Sequence, residues 1–266
     1  MPLLEQAPAL LAALRGEMTP KFLATRSAQG TPNVVPVVSI QPAEDQPDVV
    51  FFGNFLLRKS IGNLGQDPRV GILVITPALD GWILTGDFLE FQRTGPYVDR
   101  QMSGSLLRYN AYTGIRNAGL IRLREIRTAF RIPRMRVLTD YLLAMLVPKP
   151  SPDSVSGRTR LPLPVQQVFG RMTAVKVMAW IDEDGYPLVI PSLSLRPSGP
   201  SGLACFRPSA AVPLPPDGVP IASNILSLDA ISYQAKGRWQ TRRSGGVMLV
   251  DEVYAGGPPL PGGRVA

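Results

Sequence analysis

Residues 30–40, GTPNVVPVVSI, return in altered form at residues 185–195, GYPLVIPSLSL. Gly30, Pro32, Pro36 and Ser39 recur 155 positions later as Gly185, Pro187, Pro191 and Ser194, and the residues between them stay apolar. WILTGDF (82–88) likewise pairs with YQAKGRW (233–239) at a displacement of 151. GLIRLREIRTAF (119–130) pairs with GVMLVDEVYAGG (246–257) at 127, which sets Glu125 opposite Glu252. The order is kept, and the displacement shrinks only through deletions. Three collinear echoes of this kind mark a tandem duplication, a constraint on the fold that composition cannot supply.

Each copy reads as a β unit. KFLATRSAQGTPNVVPVVSI is two strands joined by a turn at Gln29-Gly30, followed by DVVFFG, RVGILVI and GWILTGDFLEF, all rich in Val, Ile and aromatics and punctuated by Gly and Pro. Pro32 and Pro36 cannot donate to a ladder, so their strand is expected at an edge, with backbone open to a ligand. The first copy carries about 24 extra residues, including DRQMSGSLLRYNAYTGIRNAG, read as helical. MPLLEQAPALLAALRGEM is expected to be an amphipathic helix with Leu3, Leu4, Leu10, Leu11 and Leu14 on one face. The expected organisation is a first barrel over 1–136, a linker over 137–170 that opens as a helix (VLTDYLLAML) and continues as a Pro- and Ser-rich loop, and a second, degenerate barrel over 171–266.

Composition removes several chemistries. Histidine is absent and Cys205 is the only cysteine, so imidazole zinc sites, Ser-His-Asp triads and intrachain disulfides are excluded, and no metal site is expected. No residue is assigned as catalytic; if the chain is an enzyme, a cofactor carries the hard chemistry. No apolar run reaches the ~20 residues of a membrane span, and the N-terminus lacks the layout of a secretion signal, so a cytoplasmic protein is expected. The net charge is +8, mostly from arginine. Arginines cluster at 108, 116, 122, 124, 127, 131, 134 and 136. With no nucleic-acid motif beside them, a solvated face is the plainer reading and a docking surface for an anionic substrate the sharper one.

Within FFGNFLLRKSIGN (51–63), Arg58 and Lys59 stand together where a strand gives way to the first turn of a helix. That end of a helix disfavours cations, so either the two are simply solvated or an anion sits among them.

These segments, in this order, resemble the FMN-binding split-barrel family that includes pyridoxamine 5'-phosphate oxidase, over residues 15–130 and more faintly over 171–266. The carriers are FLATRSAQGTPNVVPVV, VVFFGNFLLRKSIGNLGQDPRVGILV and GWILTGDFLEF. The resemblance implies a mainly β fold with peripheral helices: two tandem six-stranded split barrels packed as a pseudo-dimer, with further pairing of whole chains open. It implies FMN as cofactor, with Val35, Pro36, Val37 and Val38 along the ring and Phe52, Gly53, Asn54, Arg58 and Lys59 at the ribityl phosphate. There are departures. Val35 and Ile40 stand where the oxidase has an Arg and a Lys, and Gly53 and Leu57 replace hydroxyl residues. Pyridoxamine phosphate is therefore not the expected substrate.

The second copy runs RPSAAVPLPPDGVPIASNIL, with Arg207 its only cation and five prolines against a helix, so no phosphate grip is expected there. Arg122 and Arg124 share a strand face as candidate contacts for an anionic substrate, with Lys236, Arg238 and Trp239 the second-copy candidates beside the ring. The leading functional expectation is an FMN-dependent oxidoreductase that takes electrons from a reduced nicotinamide or deazaflavin. The alternative is a non-catalytic protein that binds or stores a flavin, deazaflavin or haem-like ligand.

Overall fold

The computed structural model describes residues 1–55, 57–104, 116–206, 212–227, 229, 231–256 and 262–266. Arg108, Arg207 and most of the helical insert read at 99–119 lie outside the described residues. The first half contains β1 (Lys21–Arg26), β2 (Pro32–Pro36), β3 (Gln41–Pro42), β4 (Val49–Gly53), β5 (Arg69–Ile75), β6 (Asp80–Gln92) and β7 (Ala118–Arg131). The second contains β8 (Val175–Ile181), β9 (Pro187–Pro191), β10 (Arg196–Pro197), β11 (Gly202–Phe206), β12 (Pro220–Leu226), β13 (Ser232–Arg242) and β14 (Gly245–Ala255). The described helices are α1 (Leu3–Gln6), α2 (Pro8–Arg15), α3 (Arg58–Leu64), α4 (Pro96–Ser103), α5 (Arg134–Leu143), α6 (Pro152–Val155) and α7 (Leu163–Phe169).

The sheets run β2-β1-β5-β6-β7-β4-β3 and β10-β11-β14-β13-β12-β8-β9, every pairing antiparallel. Read from its other edge, the second is the first with each strand replaced by its counterpart. The duplication therefore extends to topology, and the chain is a mainly β protein with two tandem split-barrel halves. Each sheet has seven strands rather than the expected six, the additional one being a two-residue strand after the β2 or β9 edge. The echoes hold in register. Phe22 pairs with Pro36 as Val177 pairs with Pro191, and Thr85 with Glu125 as Lys236 with Glu252. Gly30 (φ 74°) and Gly185 (φ 80°) close the equivalent hairpin turns in a left-handed conformation that other residues adopt at a cost.

The N-terminal helix is interrupted. Pro8, which has no N–H to continue a helix, opens α2 as its first residue, yet Leu4, Leu10 and Leu14 still enter a core with Leu23, Ile72 and Leu84. The linker opens with α5 as expected, followed by a 3₁₀ turn at Ala144–Leu146; its Pro- and Ser-rich stretch contains the single turn α6.

β2 and β9 are edge strands, and each lies on the sheet of the other half. β2 packs on β8, β12 and β13, while β9 packs on β1, β5 and β6, the reciprocal arrangement of a two-fold interface. Phe22, Val34, Leu73 and Ile83 share one core with Met178, Trp180, Val189 and Ile221. Hydrogen bonds cross the same interface from Arg26 to the Gly185 carbonyl at 2.8 Å and from Tyr186 to Asp87 at 2.8 Å. The approach is closest at Gly71, where a Cβ would stand 2.0 Å from the Pro187 carbonyl oxygen.

Each half also buries a lysine at the start of its first strand. Lys21 donates to Gly16 O (2.7 Å) and Val38 O (3.1 Å), and Lys176, 155 residues later, donates to Leu193 O (3.4 Å). Both are fully buried. Burial pushes Lys21 down to about 8, with Glu17 partly opposing, and Lys176 down to about 7, with Cys205 partly opposing.

Two predictions follow the packing. Gly71→Val, meeting backbone that has no room to give, is expected to lower stability by about 1–3 kcal/mol or more in a denaturant titration. Gly62→Ala, in open space on α3, is expected to be neutral or to gain about 0.5–1 kcal/mol. The lysines are neutral in the fold at a pH where the unfolded chain keeps them charged. The unfolded state then binds more protons, so stability rises with pH, at about 1.4 kcal/mol per pH unit for each lysine in its window. From the values above, that window opens near pH 7 for Lys176 and near pH 8 for Lys21. Denaturant titrations at pH 7 and pH 9 should show the rise, and Lys21→Met/Lys176→Met should flatten it.

Candidate functional site

At its cleft-facing end, β2 continues into an irregular stretch that borders a cleft of about 490 Å³ between the halves. From the first half the lining includes Asn33, Val35, Pro36, Val37, Val38, Ser39, Gly53, Phe55, Leu57, Arg58, Lys59 and Ser60. The edge position follows from the prolines: β2 forms a ladder only with β1, and its other side meets side chains rather than a strand.

The turn after β4 is held from several sides. Gly53 N donates to Ser39 Oγ at 3.2 Å, Gln101 donates to Ser39 O at 2.8 Å, and Asn54 N donates to Asn117 O at 2.9 Å. α3 is tied to the neighbouring strands by Asn33 donating to Ser60 Oγ (3.1 Å) and Asn63 donating to Thr25 Oγ1 (3.0 Å). Arg58 and Lys59 thus start a helix whose place is set by polar contacts on its inner side. α3 is only seven residues long, so the positive potential here comes mainly from the two side chains.

The opposite wall belongs to the second half: Asn224, Ser232, Gln234, Tyr254, Ala255, Gly256 and Gly262. Register explains this set. Asn224 pairs with Gln234, which pairs with Tyr254, so the three form a row across β12, β13 and β14. Ser232 and Gln234 lie two apart on β13 and share its face. Asn224 and Gln234 donate to Val34 O at 3.3 and 2.5 Å, and Ser232 donates to Asn224 Oδ1 at 3.2 Å. The row therefore grips the edge strand as well as lining the cleft.

The Lys59 ammonium stands 3.0 Å from the centroid of the Tyr254 ring, a cation–π contact joining the two walls. Tyr254 donates to Glu252 Oε2 at 2.6 Å; burial, then that bond, pushes its hydroxyl up to about 12. Lys59 is shifted down, first by burial and then by Arg264, with Glu252 opposing. Lys236 is pushed down to about 8 by burial first and by the neighbouring Lys59 charge second. Arg58, Lys59 and Lys236 make this end of the cleft cationic.

The residues singled out in the sequence thus divide. Val35, Pro36, Val37, Val38, Gly53, Arg58 and Lys59 line the cleft. Phe52 does not, because its ring is fully buried over Gly119 and meets Phe91 edge-on at 6.4 Å. Asn54 is buried behind the turn and shapes it through its backbone. Lys236 lies beside the site without lining it.

The structure places the other four candidates away from the cleft lining. Trp239 is a fully buried core residue packed on Gly246, and Arg238 points outward, donating to Gly218 O at 3.1 Å. Arg122 and Arg124 are exposed on β7 outside the cleft lining, and Arg124 is paired with Asp87. Arg127 is likewise bound to Glu125, Asp182 and Asp184, Arg131 to Asp80 and Arg136 to Asp140. Much of the arginine cluster is thus ion-paired rather than free to dock an anion. The residues sequence reading missed are Asn224, Ser232, Gln234 and Tyr254. The only trace of them was the two-residue spacing that puts Ser232 and Gln234 on the face of Lys236.

Among the described residues no group of acidic, Cys or His side chains is arranged to hold a metal, and no helix is long and apolar enough to cross a membrane. No family model and no curated protein matches the chain. Solved structures resemble it over about half its length. An FMN-binding protein from Syntrophomonas wolfei subsp. wolfei is 17% identical with a TM-score of 0.40, over 50% of this chain and 88% of that one. A pyridoxinephosphate oxidase family protein from Clostridium acetobutylicum is 10% identical with a TM-score of 0.34, over 48% and 94%. The haem storage protein HutZ from Vibrio cholerae is 17% identical with a TM-score of 0.36, over 47% and 93%. The chain is thus similar to FMN-binding and pyridoxinephosphate oxidase family split-barrel proteins, a likeness of fold that spans about half of it at a time.

Proposed function

We propose that this protein is a flavoprotein that holds one FMN in the cleft between its halves and uses it for oxidation–reduction of a small molecule. The observation that carries the reading is the cleft itself. A single space of about 490 Å³ is bordered both by the edge-strand segment Val35–Val38 and by the adjacent cations Arg58 and Lys59. An apolar strand suits a flat ring system, and two cations beside it suit a phosphate dianion.

When bound, the flavin supplies the transfer of hydride or electrons that no side chain here can perform. The chain's own residues bind, orient and exclude water. Arg58 and Lys59 neutralise the phosphate, with Lys236 adding to the potential. Val35, Pro36, Val37 and Val38 offer an apolar surface to the ring. Asn224, Ser232 and Gln234 supply amide and hydroxyl groups to its polar edge or side chain. Among the lining residues the ionisable side chains are those of Arg58, Lys59 and Tyr254. The Tyr254 hydroxyl is held protonated by burial and by its bond to Glu252, so the site orients more than it shuttles protons. A haem-like occupant is disfavoured, since the chain has no histidine and the tyrosine that lines the cleft keeps its proton through burial and its bond to Glu252.

Arg58→Ala/Lys59→Ala removes two charge-assisted contacts of about 1.5–3 kcal/mol each. FMN affinity, measured by flavin fluorescence quenching, is expected to fall at least about a hundredfold while the fold survives. Affinity equal to that of the parent overturns the phosphate assignment. Protein saturated with FMN and desalted should release about one flavin per chain on denaturation. A ratio near zero ends the flavin reading. Anaerobic addition of a reduced nicotinamide or deazaflavin should bleach the bound flavin rapidly; if none does, the protein binds flavin without using it.

A further inference from the structure

Moving 155 residues along from the cleft segment 36–39 leads to Pro191, Ser192, Leu193 and Ser194. These four line a second cavity, of only about 30 Å³, closed from outside by Arg136, Val137 and Asp140 of α5. In the second half, α5 therefore stands where the counterpart of the cleft would open.

That helix is lightly held. None of its ten residues is buried, and a helix of that length is marginal on its own. Its main inward anchor is Tyr141. The ring lies 5.0 Å from Lys176 Nζ and 5.5 Å from Arg196 Cζ, and the hydroxyl donates to Gly170 O at 2.5 Å. Asp140, one residue earlier, borders the cavity and is partly buried beside Arg136.

Beneath the helix the polar groups are incompletely matched. Lys176 is fully buried with one carbonyl contact at 3.4 Å. Ser192 is 1% exposed, and among the described residues its hydroxyl has only the weak Cys205 thiol beside it, while the buried Arg196 Nε has no hydrogen-bond partner. Cys205 is buried with Sγ 3.3 Å from Ser194 Oγ. A guanidinium and a buried amine able to take up a proton, both facing an aromatic ring, are the chemistry by which a protein would hold an aromatic anion.

We propose that α5 is a displaceable plug and that the pocket beneath it is a second binding site, for an aromatic anion whose place Tyr141 and Asp140 take. The site belongs to the second half and does not depend on which ligand fills the main cleft. The one-ligand capacity of the chain then comes from an internal occupant rather than from loss of the second site.

Cys205 is the only cysteine, so its reaction with 5,5'-dithiobis(2-nitrobenzoate) reports on opening. Tyr141→Ala removes the anchor and is expected to speed labelling at least about tenfold while amide exchange in β8 and β11 stays unchanged. The same variant should bind one additional equivalent of 8-anilinonaphthalene-1-sulfonate, lost again in Tyr141→Ala/Lys176→Met. Labelling that is unchanged, or that rises only in step with exchange of the sheet, overturns the plug. Faster labelling without the Lys176-dependent equivalent overturns the site. If the variant does not fold, amide exchange of the unaltered protein decides: α5 should exchange at least about a hundredfold faster than β11, and equal protection overturns the proposal.

Discussion

The structure depends on one kind of contact, the backbone of an edge strand laid flat on the sheet of the other half. An edge strand leaves a row of backbone groups unpaired, a liability that proteins usually cover or blunt. Here each half covers the edge of its twin. β9 reaches β5 because Gly71 has no side chain to hold the Pro187 carbonyl away, and β2 meets β12 where Ala222 takes the equivalent place. The reward is a shared core: Phe22 and Val34 pack with Met178 and Trp180, so the largest core of the molecule is built by both sheets. The cleft is a by-product of the same geometry, since the strand that crosses to the other half leaves a concavity on the side that carries no ladder.

Two concavities follow from two copies, and they have diverged. In the first half, the segment between β4 and β5 forms α3 and brings Arg58 and Lys59 to the rim. In the second, the described residues between β11 and β12 contain no helix, and α5 covers the corresponding hollow. The buried lysines remain in both. Lys21 stands behind Val38 O and Lys176 behind Leu193 O, which identifies them as part of the shared scaffold, fastening the strand end after the hairpin. Only their surroundings differ, and those decide whether the space in front is open.

Charge is distributed in the same unequal way. Arginines 124, 127, 131 and 136 meet carboxylates, Arg127 reaching Asp182 and Asp184 across the interface, so half of a cluster that stands out in the sequence is neutralised in space. At the cleft the reverse happens. Lys59 and Lys236, far apart in the chain and unremarked as a pair in the sequence, come close enough for one to depress the other. Lys59, Lys236 and Arg264 gather there with Glu252, so this end of the cleft carries an excess of positive charge among the described residues.

What was legible in the sequence is what depends on local geometry. Hairpin turns need glycine at positive φ, and edge strands tolerate proline, so Gly30, Gly185, Pro32 and Pro187 could be read directly. The duplication followed from displacements that the strand registers reproduce, and Lys21 and Lys176 obey the same displacement just outside the compared window. The sequence by itself determined the repeated strand plan and the placing of two adjacent cations after a strand. Tertiary structure alone decided that Trp239 is core, that Asn224, Gln234 and Tyr254 form the far wall, and that one hollow is open while α5 fills the other. Those outcomes rest on which face of a distant sheet meets an edge strand, and on where a lightly held helix comes to lie. Neither is set by the spacing of residues along the chain.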